Sequence, residues 1–203
     1  MKTSELQKGQ IVLVMRYSDE IQKNCILLHR DILMQTGYCW YGKVGMAPSE
    51  KTINPVMNEG TPVMILYNRK QSYLCEIEEV VDRKPSSSYP KYYDDKIFMS
   101  EKAPQCYFKI TSIEEIATED IARFGVKSSG SNMLSAMKKS MVSFSLGVYM
   151  EDVQPDIVVH KEKKPKKNVG NECIYRKNEK CNLRTCVNYQ YFCERPSTCS
   201  KRK

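Results

Sequence analysis

The chain has 203 residues and a net charge of +8, and 41% of its residues are hydrophobic. This length suits one full domain with a small appendage and excludes two large domains. No stretch approaches the ~20 apolar residues that a membrane helix needs, and residues 1–9 are polar, unlike a signal peptide. We therefore expect a cytoplasmic protein that has no membrane partner.

The first part of the chain predicts short elements of an α+β domain that spans residues 1–151. The apolar, β-branched run at residues 10–16 predicts a strand. Ser18 is predicted to cap a helix, and Gly37 is predicted to end it. Apolar residues recur on one face of this helix at Ile21, Cys25, Leu28 and Ile32.

The middle of the domain predicts three more strands. Residues 38–44 are dense in aromatic side chains, which favours a strand. Residues 45–60 are rich in Pro, Ser and Asn and predict a loop. Apolar runs at residues 62–67 and 73–81 predict a hairpin. Residues 82–95 predict a long irregular loop, and loops of this length in a compact domain are often functional.

The end of the domain predicts further sheet and helix. Residues 106–116 predict a strand, Thr118 caps a short helix, and either Ser131 or Asn132 starts another helix. Residues 142–149 predict a return to the sheet. Because strands and helices do not alternate regularly along the chain, we expect a small, curved, mostly antiparallel sheet or barrel with flanking helices.

The order of elements in residues 8–149 resembles the PUA-like superfamily, and within it the EVE and YTH type of domain. The points of similarity are the opening strand and helix, the Trp-Tyr-Gly-Lys sequence at 40–43, and the late Tyr-Phe-Lys-Ile sequence at 107–110. The resemblance implies a small β-barrel that holds a nucleic-acid base, often a chemically modified one, in an aromatic-lined pocket.

Several side chains of this domain are candidates for contact with a base. Aromatic faces would sandwich the base while backbone groups read its edge. Side chains alternate along a strand, so Trp40 and Tyr41 point to opposite faces and at most one of them lines a pocket. We expect Trp40 to be that residue, and the alternative is that these aromatics form an ordinary core. The candidates are Tyr38, Trp40, Lys43, Tyr92 and Tyr93.

Positive charge is concentrated towards the end of the sequence. Residues 160–203 contain thirteen Lys or Arg and four Asp or Glu, a net charge of +9, which leaves residues 1–159 near −1. Residues 152–172 include a lysine-rich run without apolar periodicity, which predicts a flexible basic linker. Such a segment releases counterions when it binds a polyanion, so a nucleic acid is the expected partner.

The last segment, residues 173–203, predicts a small module stabilised by Zn²⁺. Five of the nine cysteines lie here, separated by seven, four, six and five residues. Thiolates at such spacing can converge on one tetrahedral ion, and a segment without a core needs such a cross-link. The alternatives are an iron–sulfur cluster and disulfides, which need an oxidising compartment. The candidate ligands are Cys173, Cys181, Cys186 and one of Cys193 or Cys199.

This module also resembles a CCCH zinc finger. Its first three cysteines fall within the spacing of that family, but Gln190 stands where the histidine of the family would follow. Cys193 or Cys199 would therefore have to be the fourth ligand. The resemblance implies contacts with single-stranded RNA through Tyr175, Arg176, Lys177 and Arg184.

The sequence carries no recognisable catalytic constellation. Its two histidines, His29 and His160, have no candidate catalytic partner at a spacing typical of an active-site motif. The sequence also has no glycine-rich phosphate loop and no nucleophile elbow. We therefore expect a non-enzymatic protein that binds nucleic acid, with RNA or modified single strands preferred over duplex DNA. The alternative is an adaptor that binds a protein partner through the cysteine module.

Overall fold

The computed structural model describes residues 3–139 and 143–153, and the backbone of residues 176–177 and 180–181. The chain divides into two compact units, Met1–Ile157 and Val158–Lys203. The predicted linker lies almost wholly outside the described residues, and so does most of the predicted cysteine module.

The first unit is an α+β domain built on one seven-stranded mixed sheet, which confirms the predicted class. Its strands are β1 (Ile11–Arg16), β2 (Cys39–Val44), β3 (Val63–Tyr67), β4 (Ser72–Val81), β5 (Pro104–Ile116), β6 (Phe124–Val126) and β7 (Phe144–Tyr149). They lie in the order β2-β5-β4-β3-β1-β7-β6. Every neighbouring pair is antiparallel except β1 and β3, which run parallel. Among the described residues, the outer strands β2 and β6 do not pair with each other, so the sheet order is open.

Short helices flank this sheet. They are α1 (Cys25–Thr36), α2 (Glu50–Met57), α3 (Lys96–Met99) and α4 (Met133–Lys139), with 3-10 turns at Thr3–Glu5, Lys91–Asp94 and Thr118–Arg123. Helix α1 packs on β2 and β5, α2 packs on β1, and α4 packs on β6. Asn132 caps α4, since its Oδ1 accepts a hydrogen bond from the Ser135 amide (3.0 Å).

Helix α1 begins later than the sequence predicts. Ser18 Oγ does accept a hydrogen bond from the Glu20 amide (3.2 Å), but this turn does not continue into a helix. The helix begins at Cys25, whose amide donates to Asp19 Oδ1 (3.3 Å). Asn24, rather than Ser18, is the N-cap residue of α1, and the Asp19 carboxylate accepts a hydrogen bond from the first turn. The end of the helix is as predicted, because Gly37 adopts a left-handed conformation and donates to the Leu33 carbonyl.

The predicted loop at residues 45–60 is wrong, because it contains α2. Turn-forming residues dominate the composition here, and Pro55 lies inside the helix. The apolar residues nevertheless recur at helical spacing, and Val56 is buried against the core with Met57 beside it. Burial of this face outweighs the poor helix propensity of the segment.

Residues 82–95 cover the open edge of β2. The Trp40 amide donates to the Ser88 carbonyl (2.8 Å), and the Gly42 amide donates to the Tyr93 hydroxyl (2.8 Å). An uncovered edge strand would present these groups to other chains. Within the segment, Lys84 forms an ion pair with Asp94 and donates a hydrogen bond to the Tyr93 carbonyl (3.1 Å), so the two ends of the segment are joined. We call residues 82–95 the covering segment.

The second unit contributes one described feature, a pair of two-residue strands. Arg176–Lys177 (β8) pairs antiparallel with Lys180–Cys181 (β9), with Arg176 opposite Cys181. This pairing places the backbone of one candidate zinc ligand beside two candidate RNA contacts.

A substitution at Gly42 tests how closely β2 and β5 pack against each other. A Cβ atom at Gly42 would lie 2.7 Å from Pro104 Cγ and 3.1 Å from Tyr107 Cε1. We expect Gly42→Ala to lower the free energy of unfolding by about 1–3 kcal/mol, the usual cost of overpacking. Urea unfolding followed by the fluorescence of the single tryptophan, Trp40, measures this change.

Gly60→Ala is the matched control, since a Cβ atom there meets nothing within 4 Å. Its effect should stay within about 0.5 kcal/mol. Equal losses in the two variants would contradict the tight packing at Gly42.

Candidate functional site

A cavity of about 420 Å³ lies at the carboxyl ends of β1 and β3. Because these two strands are parallel and paired, both end at the same edge of the sheet, where Arg16 is in register with Tyr67. The residues that follow each strand, Tyr17 and Asn68, also line the cavity. We call this cavity the strand-end cavity.

Aromatic rings form much of its wall. Tyr92 lies with its ring centroid 4.4 Å from that of Tyr93 and 5.0 Å from that of Phe98. Tyr92 and Tyr93 come from the covering segment, while Tyr41 comes from β2. Such rings give a flat ligand apolar faces to stack on and hydroxyls to hydrogen-bond with. The aromatic lining residues are Tyr17, Tyr41, Tyr67, Tyr92, Tyr93 and Phe98.

The charge of the lining is positive. Arg16, Lys43 and Arg69 line the cavity, and Glu20 is the one acidic residue among the described lining residues. Asp19 lies nearby, but its carboxylate accepts hydrogen bonds from the Cys25 amide and from Asn68 Nδ2 (2.9 Å). The cavity therefore favours a ligand that carries negative charge.

Lys43 is the most deeply placed of these cations, with 5% of its surface exposed. Its Nζ donates to the Val44 carbonyl (2.7 Å). Burial lowers the pKa of Lys43, because the charged ammonium loses hydration there. An anion in the cavity would therefore stabilise the charged form of this side chain.

A buried polar network holds the aromatic wall in place. The Cys25 carbonyl can only accept a hydrogen bond, so His29 Nδ1 carries a proton and donates to it (2.7 Å). The other ring nitrogen, Nε2, is then an acceptor 3.3 Å from the Tyr93 hydroxyl, whose proton also lies within reach of the Gly42 carbonyl (3.3 Å). The same hydroxyl accepts from the Gly42 amide. Burial lowers the pKa of His29 to about 4, so the ring is neutral at pH 7.

Cys25 joins the same network from the first turn of α1. Its Sγ lies 3.5 Å from the Tyr92 hydroxyl. Burial raises the pKa of the Cys25 thiol to about 11, although the hydrogen bond with Tyr92 opposes this rise. It is the one cysteine among the described residues that lines the strand-end cavity.

The predicted base-binding aromatics do not form one cage. Tyr92, Tyr93 and Lys43 line the strand-end cavity together with Tyr41. Trp40 points to the opposite face of β2, as strand alternation requires. Trp40 and Tyr41 each line a cavity, so the expectation that at most one of them does is wrong. The expected contact of Trp40 with a base stays a prediction.

Tyr38 and Trp40 line a second cavity, of about 350 Å³, beside the start of the covering segment. Trp40 is 9% exposed, the same fraction as Tyr92 in the strand-end cavity. The ring of Tyr38 is covered on one face by Lys109 Nζ, 4.7 Å from the ring centroid. Lys109 also pairs with Glu78 (2.9 Å).

Sequence reasoning missed Arg16 and Tyr67. Each lies at or just after the end of an apolar run, a position where parallel strands place ligand-binding residues. Nothing in the sequence indicates that β1 and β3 are parallel neighbours, so the signal could not be used.

The metal and RNA contacts predicted in the tail lie outside the described side chains. They are Cys173, Cys181, Cys186, Cys193, Cys199, Tyr175, Arg176, Lys177 and Arg184. In the described part of the chain, no three His, Cys, Asp or Glu residues are grouped so as to hold a metal ion. No helix within the described ranges has both the length and the apolar character needed to cross a bilayer.

Comparison of the chain with protein-family models, curated proteins and solved structures finds no significant match. The resemblance of the body to PUA-like domains, and of the tail to CCCH fingers, stays a prediction.

The buried His29 predicts a pH dependence of stability. Its folded-state pKa of about 4 lies below the usual ~6.5, so the unfolded chain takes up a proton first as the pH falls. Stability is therefore present above pH ~6.5 and is lost as the pH falls towards 4. Between pH 7 and pH 5 we expect the free energy of unfolding to fall by about 2 kcal/mol.

His29→Gln should flatten this dependence, because glutamine has no proton to gain in this range. Chemical unfolding of both proteins at a series of pH values provides the comparison. The same slope in the variant and the wild type would show that His29 is not the titrating group.

Proposed function

We propose that this protein binds single-stranded nucleic acid and holds one unpaired nucleotide in the strand-end cavity. One observation carries the proposal: the cavity combines six aromatic side chains with three cationic ones. A nucleotide has the matching parts, a flat base and a phosphate. The proposed role is recognition without catalysis.

The size of the cavity supports this proposal. At about 420 Å³ it falls within the range of small-ligand sites, which span about 300–1,000 Å³. A base that enters it leaves its stack and its pairing partner. In a duplex this costs a few kcal/mol, whereas in a single strand it costs little. We therefore propose RNA, or a modified single strand, over duplex DNA.

The charge of the tail supports a polymeric ligand over a small metabolite. Residues 160–203 carry a net charge of +9, while residues 1–159 are nearly neutral. A basic segment of this kind gains affinity for a polyanion by releasing its counterions. In this proposal the cavity selects one nucleotide and the tail contacts the phosphates beyond it.

We further propose that the cysteines of the tail hold one structural Zn²⁺. Four thiolate ligands would leave no open position for a catalytic water. The ion would fix the fold of a segment that is too short to build a core.

Equilibrium binding of the full-length protein tests the proposed ligand. The probes are single-stranded RNA, single-stranded DNA and duplex DNA of equal length, each across a salt series. We expect single strands to bind most tightly and their affinity to fall steeply as salt rises. An absence of binding to all three would contradict the proposal and favour the protein adaptor.

A matched pair of variants tests the cavity itself. Arg69 lines the cavity and Lys70, the next residue, does not, although both are exposed in the same turn. Arg69→Gln should weaken binding of the single strand by roughly five- to tenfold, while Lys70→Gln should change it less than about twofold. Equal effects would mean that only the general positive charge of this surface contributes.

The zinc proposal has its own measurement. Elemental analysis of protein purified under reducing conditions should find about one zinc ion per chain. Cys181→Ser should lower this content, whereas Cys106→Ser, in the core of the body, should not. An iron chromophore, or no metal at all, would refute the zinc site.

A further inference from the structure

Arg16 and Tyr67, two residues that line the strand-end cavity, carry buried hydrogen-bond donors that have no acceptor among the described residues. Nε and Nη2 of Arg16, and the hydroxyl of Tyr67, are buried and lack a hydrogen-bond partner among the described residues. Arg16 and Tyr67 are register partners on the parallel strands β1 and β3, so their side chains leave the same face of the sheet.

The two unpaired nitrogens of Arg16 form one recognition edge. Nε and Nη2 lie on the same side of the planar guanidinium, and their N–H bonds are nearly parallel. This fork matches two oxygens of a phosphate or carboxylate. Arginine stays charged in proteins, so burial of this edge without an acceptor is unfavourable. An anionic ligand that accepts both hydrogen bonds would remove that cost.

Tyr67 supplies a third donor close to the fork. It is fully buried. Burial raises the pKa of Tyr67, and the positive charges of Arg16 and Arg69 oppose this rise without cancelling it. The hydroxyl is therefore protonated at pH 7 and donates a hydrogen bond to any oxygen placed beside it.

We propose that Arg16 and Tyr67 form an anion subsite that binds a phosphate group of the nucleotide held in the cavity. The proposal rests on the function proposed above, since the nucleotide brings the phosphate. A terminal phosphate monoester offers two oxygens to the Arg16 fork and a third to Tyr67. An internal phosphodiester has two non-bridging oxygens, so Tyr67 would share one of them with the fork. The phosphate is either a terminal monoester or an internal phosphodiester.

The first experiment tests the subsite without any nucleic acid. The melting temperature of the full-length protein is measured against inorganic phosphate, with chloride adjusted to hold the ionic strength constant. Phosphate should raise the melting temperature of the wild type and of the control Lys70→Gln. Arg16→Lys keeps the charge but loses the fork, and it should abolish the rise.

Tyr67→Phe gives a second variant that should fold normally. It removes only a hydroxyl that has no hydrogen-bond partner in the described part of the chain, so the melting temperature without phosphate should be unchanged or slightly higher. The stabilisation by phosphate should be reduced. If phosphate stabilises Arg16→Lys and Tyr67→Phe as much as the wild type, the subsite is refuted.

The second experiment identifies the source of the phosphate. Three versions of one single-stranded oligonucleotide are compared: 5′-phosphorylated, 3′-phosphorylated and unphosphorylated. A preference of about tenfold or more for one phosphorylated end, lost in Arg16→Lys, would establish a terminal monoester. Equal binding of all three, weakened about tenfold by Arg16→Lys, would establish an internal phosphodiester.

The outcomes separate the two proposals. If Arg16→Lys and Tyr67→Phe bind the oligonucleotide with the same affinity as the wild type, the anion subsite is overturned and the proposed function stands. Stabilisation by inorganic phosphate that requires Arg16, without any oligonucleotide binding, would support the subsite and overturn the proposed function.

Discussion

The parallel pairing of β1 with β3 is the constraint on which the candidate site depends. Every other neighbouring pair in the sheet is antiparallel and would bring a strand end beside a strand start. Because β1 and β3 run in the same direction, both strands leave the sheet at one edge, where Arg16 and Tyr67 are register partners. Residues of both departing segments, Tyr17 and Asn68 among them, line the strand-end cavity beside this edge. Ligand sites at the carboxyl ends of parallel strands are a general consequence of this geometry.

The covering segment contributes two of the six aromatic residues that line the strand-end cavity, and it also covers the edge of the sheet. The Tyr93 hydroxyl accepts a hydrogen bond from the Gly42 amide at the open edge of β2 and also hydrogen-bonds His29. This one side chain therefore links β2, helix α1 and the covering segment. A network of this kind restricts its members to one arrangement, because any buried group that loses its partner pays the cost of desolvation. The rings of Tyr92 and Tyr93 are therefore held in position before any ligand binds, which reduces the entropy lost on binding.

Local patterns in the sequence predicted much of the fold and less of the site. The boundaries of the strands with apolar runs were predicted to within two residues, and Gly37 correctly marked the end of α1. Helix α2 was missed because Pro55 and its polar neighbours are residue types typical of loops. The helix depends on the burial of Val56 against the core, which the local sequence does not show. Strand alternation separated Trp40 from Tyr41 but could not show that each lines a cavity together with residues of the covering segment. Arg16 and Tyr67 could not be paired, because their contact depends on strands that are distant in sequence.

Cys25 offers the most direct test of whether nucleic acid enters the strand-end cavity. It lines the cavity, whereas Cys106 is similarly buried and does not. The rates at which a small alkylating reagent modifies these two thiols can be measured by peptide mass spectrometry, with and without a saturating single-stranded oligonucleotide. Occupancy of the cavity predicts that the oligonucleotide slows the modification of Cys25 and leaves that of Cys106 unchanged. If the oligonucleotide binds and the rate at Cys25 does not change, the nucleic acid is bound elsewhere.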